Sequence, residues 1–245
     1  SGRAVVLGSG GTAPAAVLWD MDGTLVDSEK LWDLGLVALY RRLGGVLTPA
    51  VREATVGSSA ATAMRIVYTD LGLPPDAVAL ADSAAWLHDY VGELFAAGLP
   101  WCPGARELLD ALAAQSIPMA LVTNTSRALT ERALDSIGRD YFAASICGDE
   151  VRRAKPDPEP YRAAVAVLGM TPAQCLAVED SPTGAAAARA AGCPVLVVPN
   201  AVAVPDHPGQ RRMESLARLD VAALRSVHAE LATDPDPRPV TARPG

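Results

Sequence analysis

Short apolar runs recur along the chain, and each ends in polar residues. Residues 16–19 run into Asp20, residues 119–122 into Thr123 and Asn124, residues 144–147 into Gly148, Asp149 and Glu150, and residues 175–178 into Glu179, Asp180 and Ser181; a further run covers 194–198. Runs this short predict strands. Between the first two the spacing turns helical. Leu31, Leu34, Val37 and Ala38 share one face before Gly44-Gly45 stops the first helix. Ser58 or Ser59 caps a second carrying Met64, Val67 and Leu71, and Pro74-Pro75-Asp76 opens a third with Trp86, Tyr90, Leu94 and Phe95. Helical pattern returns through Leu108, Leu109 and Leu112, over 127–137, 161–168 and 184–191, and in a terminal segment over 213–231. Strands alternating with helices predict an α/β fold with a doubly wound parallel sheet, here carrying an inserted helical segment.

The first strand ends in the most informative residues. Side chains two apart on a strand point to the same side, so Asp20 and Asp22 can attend one ligand while Met21 turns away. A calcium loop counted from Asp20 needs Gly at its sixth position and Glu at its twelfth; those places hold Leu25 and Leu31. The other tips supply the hydroxyl of Thr123, the ammonium of Lys155 and the acids Glu179 and Asp180. Ligands of a parallel sheet bind beyond the carboxyl ends of its strands, and this inventory suits a phosphate with a divalent cation.

In order, Asp20-Met21-Asp22-Gly23-Thr24, Thr123, Lys155 and Glu179-Asp180 resemble the four motifs of the haloacid dehalogenase superfamily, over residues 16–198. The stretch Leu25-Val26-Asp27-Ser28-Glu29 and the helical insertion are similar to its helical-cap branch, which includes β-phosphoglucomutase and sugar phosphate phosphatases. The resemblance implies a Rossmannoid core formed by 1–27 and 100–245, with a helical cap over 28–99 hinged near 27–31 and 98–103. It also implies a Mg²⁺-dependent phosphatase. Asp20 is then the nucleophile that forms an aspartyl-phosphate, and Asp22 the general acid and base. Thr123, Asn124 and Lys155 bind phosphate; Asp20, the carbonyl of Asp22, Glu179 and Asp180 hold the metal. Thr55, Gly57 and Ser58 fall on the loop expected to choose the leaving group.

The alternative within the family is a β-phosphoglucomutase-like phosphotransferase. Such mutases usually carry His twelve residues after the nucleophile and Arg three after the cap-loop glycine. Here these positions hold Trp32 and Ala60, with Gly57 as that glycine, and both departures favour transfer to water. The specificity loop lacks a basic side chain, which leans towards a small sugar or polyol monophosphate, although Arg52 or Arg65 could bring charge from another direction. A binding module without turnover predicts a degraded motif acid or lysine, and none is degraded.

At 245 residues and 50% hydrophobic content the chain can bury a sizeable core. A net charge of −7 argues against a nucleic-acid or anionic-membrane partner and leaves a small phosphorylated metabolite as the expected one; monomer and dimer are equally compatible. Cys102, Cys147, Cys175 and Cys193 form no CxxC pair and read as buried free thiols. With neither a membrane-length apolar run nor a signal-peptide pattern, the expected location is cytoplasmic. His88 reads as a surface or packing residue. Gly8-Ser9-Gly10-Gly11-Thr12-Ala13 fits a loose dinucleotide-binding pattern but runs into Pro14 and a strand instead of a helix. Residues 1–13 therefore read as a flexible leader and 232–245 as a disordered tail.

Overall fold

The computed structural model describes residues 14–232, so the expected leader, its glycine pattern and all but the first residue of the expected tail lie outside the described residues. In chain order, β1 (Ala16–Trp19) is followed by α1 (Glu29–Leu43), α2 (Pro49–Thr55), α3 (Ala60–Leu71) and α4 (Ala77–Ala97). Then come α5 (Ala105–Ala114), β2 (Met119–Val122), α6 (Arg127–Ile137), β3 (Ala144–Ile146), α7 (Glu159–Val167), β4 (Cys175–Glu179), α8 (Pro182–Ala190), β5 (Val195–Val197), β6 (Gln210–Arg212) and α9 (Val221–Ala232).

The six strands form one sheet in the order β3-β2-β1-β4-β5-β6, and every neighbouring pair is parallel. This is the doubly wound α/β core that the alternation predicts. Residue alternation explains its two layers. Val17 and Trp19 of β1 join Leu121, Val178 and Leu196 in one core, whereas Ala16 and Leu18 join Val122, Ala177 and Val197 in the other. Each strand thus feeds both faces, as a sheet covered by helices on both sides requires. All four cysteines are buried and free.

Three local expectations need correction. Leu34 and Val37 of α1 are 53% and 37% exposed, and Leu36, Leu39 and Tyr40 turn inward instead. Gly35 is the reason: a Cβ there would lie 2.6 Å from Val91 and 2.9 Å from Leu87, so this bare backbone is where α4 crosses α1. These inward residues face the contact, with Leu31 of the predicted stripe half-buried against the same core. On α4 Phe95 turns inward as expected, and Leu87 and Val91 join it. Trp86 and Tyr90 stack on each other outside with centroids 5.4 Å apart, and Arg42 covers the Trp86 ring.

The third correction concerns the C-terminal segment, where β6 precedes a helix that starts only at Val221. Gln210, Arg211 and Arg212 carry no apolar signal; the strand exists because its backbone pairs with the edge of β5. After it, a short 3₁₀ turn over Leu216–Arg218 lies directly on Gly104. Gly104 has a φ of +81°, and a Cβ on it would meet the Leu216 and Ala217 backbone at 2.4 Å. Gly104→Ala should therefore lower unfolding free energy by about 2–4 kcal/mol through backbone strain and overpacking. Urea denaturation checks this, and a loss below about 0.5 kcal/mol, within the range of ordinary surface substitutions, would contradict it.

Candidate active site

The sheet order brings the polar tips together. Central β1 lies between β2 and β4, with Trp19 level with Leu121 on one side and Val178 on the other, so the residues that follow these strands share one edge. Beyond β1 the chain turns tightly, with Thr24, Leu25 and Val26 all donating to the Met21 carbonyl. Gly23 makes the turn at a φ of +80°, and a Cβ there would lie 2.2 Å from Asp180 Oδ2. A glycine is required by both facts.

Asp20 is buried at the centre. Its Oδ1 accepts from Lys155 Nζ at 2.9 Å and its Oδ2 from the Thr24 hydroxyl at 2.9 Å. Lys155 also donates to Glu179 Oε1 at 2.6 Å and to the Val122 carbonyl at 2.6 Å, and its ammonium sits 5.1 Å from the Tyr161 ring centroid. The Tyr161 hydroxyl donates to the same Glu179 oxygen at 2.5 Å. Burial works against the Lys155 charge, but Asp20 and Glu179 outweigh it and hold the ammonium protonated.

Asp22 collects a different set of donors. Ser28 and Trp32 donate to Oδ1 at 2.6 and 3.1 Å, and Thr125 and Thr123 to Oδ2 at 2.6 and 3.5 Å. Burial nevertheless raises its pKa, outweighing these hydrogen bonds, with the Asp20 charge acting in the same direction. The two aspartates thus differ in kind. One faces a lysine, the other faces only neutral donors.

A divalent cation fits what remains. One oxygen each from Asp20, Glu179 and Asp180 falls within 4.8 Å of the others, and all three residues are buried. Among the described residues, Glu179 Oε2 and Asp180 Oδ2 have no hydrogen-bond partner. Burial, reinforced by Asp20, pushes Glu179 up to about 7 and Asp180 well above the usual carboxylate range. Oxygen donors with unspent lone pairs and excess negative charge are what a hard cation such as Mg²⁺ uses. Lys155 and Tyr161 share Glu179 Oε1, which leaves its Oε2 open beside Asp180 Oδ2.

The remaining predicted residues fall as follows. Thr123 reaches Asp22 and also accepts from the Thr125 backbone at 3.1 Å. Asn124 spends its amide on carbonyls, donating to Gly57 at 2.8 Å and Lys155 at 3.0 Å, while its Oδ1 accepts from the Lys155 N–H at 2.8 Å. Its side chain ties two loops together and has no donor left for a phosphate. Thr55 donates to the Arg52 carbonyl, and Ser58 to the Thr55 carbonyl, both at 2.7 Å. Gly57 packs against Ser181, where a Cβ would lie 2.6 Å from the hydroxyl.

Thr55, Gly57 and Ser58 line a cavity of about 680 Å³, counted to its open mouth, with Asp20, Asp22 and Thr123 also in its wall. Trp32 and Ala60 line it too, together with Leu36, Met64 and Leu87. Arg52 points into it from α2, bound to Glu29 Oε2 at 2.6 Å and to the Glu29 carbonyl at 3.0 Å, and paired with Asp33. His88 lines it from α4, where Nδ1 donates to the Ala84 carbonyl at 2.7 Å and the ring meets Trp32 edge-on at 6.1 Å. His88 thus packs as expected, and its packing place is in the cavity wall.

Thr125 and Tyr161 are site residues that motif reading passes over, and it names Thr24, Ser28, Glu29 and Trp32 without giving them these contacts. Ser28 and Trp32, four apart at the start of α1, share a helix face, a signal that links both to Asp22.

A family model described as haloacid dehalogenase-like hydrolase matches residues 14–192. A phosphoglycolate phosphatase from Rhodospirillum rubrum is 36% identical over 76% of this chain and 79% of its own. A validoxylamine A 7′-phosphate phosphatase from Streptomyces hygroscopicus subsp. limoneus is 34% identical over 71% and 81%. Among solved structures, a CbbY variant from Rhodobacter sphaeroides in complex with xylulose-(1,5)bisphosphate superposes with a TM-score of 0.77 at 26% identity, covering 87% of this chain and 99% of that one.

The buried acids make stability depend on pH and cation together. Glu179 titrates at about 7 here against about 4.5 in the unfolded chain. The folded state therefore binds more protons in that window, and the associated stability, fully present below about 4.5, is lost as pH rises through about 7. Mg²⁺ should raise Tm more at pH 8 than at pH 5.5, and about 2.7 kcal/mol accrues at a concentration 100 times Kd. Scanning fluorimetry with Mg²⁺ or EDTA measures this. An equal gain at both pH values, or a full gain in Asp180→Asn, would contradict the assignment.

Proposed function

The chain belongs to the haloacid dehalogenase-like hydrolases and is a phosphoric monoester hydrolase, and we propose that it releases phosphate from a small sugar or polyol monophosphate through Asp20. One observation carries this reading. At the floor of the cavity, Asp20 is held between the Lys155 ammonium and the Thr24 hydroxyl, with Asp22 beside it in the same wall.

An Asp20 carboxylate oxygen attacks phosphorus in line; a P–O bond to Asp20 forms as the ester P–O bond breaks. Asp22 gives its proton to the departing oxygen, a role suited to a carboxyl whose pKa burial has raised. Asp22 then takes a proton from the water that attacks the aspartyl-phosphate, which frees inorganic phosphate and restores Asp20. Lys155 offsets negative charge on the transferring group, and Thr123 lies where its hydroxyl can donate to it. Bound at Asp20 and Asp180, with the Asp22 carbonyl and Glu179 nearby, Mg²⁺ would add charge neutralisation of the phosphoryl oxygens. The helices from α1 to α4 act as a cap that excludes water from this step.

The cavity supports the choice of leaving group. Its one arginine already uses four of five N–H donors, on Asp33, Thr55 and twice on Glu29. A second anionic group on the substrate would meet a guanidinium whose charge is already answered. Leu36, Met64 and Leu87 offer an apolar wall to the C–H face of a sugar or polyol. Phosphoglycolate, which the Rhodospirillum relative's name specifies, would place its carboxylate in this same space. Trp32 and Ala60 stand in the wall where the mutase pattern expects His and Arg, which favours transfer to water; the His88 and Arg52 that do line the cavity come from other positions.

With Mg²⁺, phosphate release from sugar and polyol monophosphates should exceed that from phosphoglycolate in kcat/KM, and Asp20→Asn should lose at least about 10³-fold, on the scale of losing a catalytic group. Acid-quenched wild-type protein should carry substrate phosphate on Asp20 by mass spectrometry. Sugar isomers formed without free phosphate would instead identify a mutase.

A second expected outcome concerns Arg52. Arg52→Met removes the partner of a buried Glu29, whose pKa burial already raises to about 7. It should cost about 3–5 kcal/mol of stability at pH 8 and less at pH 5, where Glu29 is protonated; equal losses by chemical denaturation at the two pH values would refute this account of the pair.

A further inference from the structure

A second cavity, about 1040 Å³ to its open mouth, lies behind the first and shares Ser59, Ala60 and Asn124 with it as a common wall. Lys155 contributes to its lining, and three arginines surround it: Arg65 from α3, and Arg152 and Arg153 from the loop between β3 and α7. All three are exposed. In a chain with a net charge of −7, positive charge gathered on both sides of one groove needs an explanation.

The loop's hydrogen bonds supply part of it. The acids here hold backbone and leave the arginine heads largely unanswered. Asp149 accepts from the Arg127 N–H at 2.8 Å, and Glu150 from the Arg127 guanidinium at 2.6 Å and the Cys147 N–H at 2.9 Å. Glu159 accepts from the N–H groups of Arg152 and Arg153 at 3.2 and 2.6 Å. Arg153 has one long contact, 3.9 Å to Asp157, and Arg65 and Arg152 make no ion pair among the described residues. The loop is thus pinned through its carboxylates, with Asp149 the one acid in the groove's lining. Gly148 lets it sit close, since a Cβ there would meet the Asn124 carbonyl oxygen at 2.0 Å.

We propose that this groove is an anion-binding site that captures the phosphate group of an incoming ester and delivers it past Asn124 to Asp20. Arginine suits the task because its planar fork binds phosphate oxygens in pairs, and a positive groove in a negative surface concentrates anions locally. Nothing in the groove requires a particular leaving group, so the site recognises the phosphate common to all the esters considered above. The identity of the ligand rests on the phosphatase reading, whereas the existence of an anion site does not.

The test uses the full chain and the triple variant Arg65→Gln, Arg152→Gln, Arg153→Gln, none of which touches the catalytic residues. Isothermal titration with inorganic phosphate should give two sites in the wild type, one lost on raising salt from about 20 to about 200 mM, and one site in the variant. With a polyol monophosphate the variant should keep kcat within twofold while kcat/KM at low salt falls about three- to tenfold, within the range of electrostatic steering. Its kcat/KM should also lose the wild type's salt dependence. Identical phosphate stoichiometry in the two proteins would overturn the proposal, as would a fall in kcat with unchanged salt dependence. If no ester is hydrolysed, the phosphate titration still decides, because it asks nothing of the chemistry.

Discussion

One buried ammonium organises this molecule's functional edge. Lys155 lies within hydrogen-bond reach of Asp20, Glu179 and the Val122 carbonyl, and Asp180 joins them through the Thr24 hydroxyl at 3.2 Å. Taking an ion out of water costs several kcal/mol even after relaxation, and only well-placed partners repay it. Here one positive charge faces three carboxylates. The imbalance explains why hydroxyls, those of Thr24 and Tyr161, are recruited as further donors, and why two carboxylate oxygens remain unpartnered. A cluster left short of positive charge is poor design for stability alone; it fits a seat for a cation.

The sheet is what permits the cluster. Because β1 is central, the chain builds β2 and β3 on one side and then returns to build β4, β5 and β6 on the other. The loops leaving β1 and β4 therefore diverge and open the crevice in which ligands of such sheets bind. Asp20, Thr123, Glu179 and Asp180 were legible in the sequence for this reason: each directly follows an apolar run, so pattern and chemistry coincide. Lys155 was legible by resemblance more than by pattern, since eight residues separate it from the end of β3. β6 was illegible because its existence depends on backbone pairing with β5, and its side chains are polar and mostly exposed.

The helical insertion shows where residue spacing fails. α4 is apolar on several sides, so Trp86, Tyr90 and Leu94 read with Phe95 as a stripe, whereas Leu87 and Val91 are the residues buried beside Phe95. The rotation is decided by the contact at Gly35, a residue that periodicity counts as neutral. An error of one position on such a helix exchanges a core residue for a partly exposed one. Arg52 was hidden similarly. It sits on a two-turn helix with no hydrophobic stripe, and its direction is set by Glu29 and Asp33 on α1, 23 and 19 residues away.

Asn124 joins these levels in one side chain. An amide presents a carbonyl beside an N–H₂, so it can match both polar groups of a peptide residue, and Asn124 does so with the N–H and C=O of Lys155. The second amide hydrogen goes to the carbonyl of Gly57 in the insertion. Neither Asp nor Thr offers that combination of donors and acceptor. Asn124 therefore acts by positioning Lys155, whose backbone it fixes directly beside the strand tips. Displacing the helices from the sheet would break the Gly57 bond and leave both Lys155 bonds intact. Charge placement at the floor can thus remain constant while the wall between the two cavities opens.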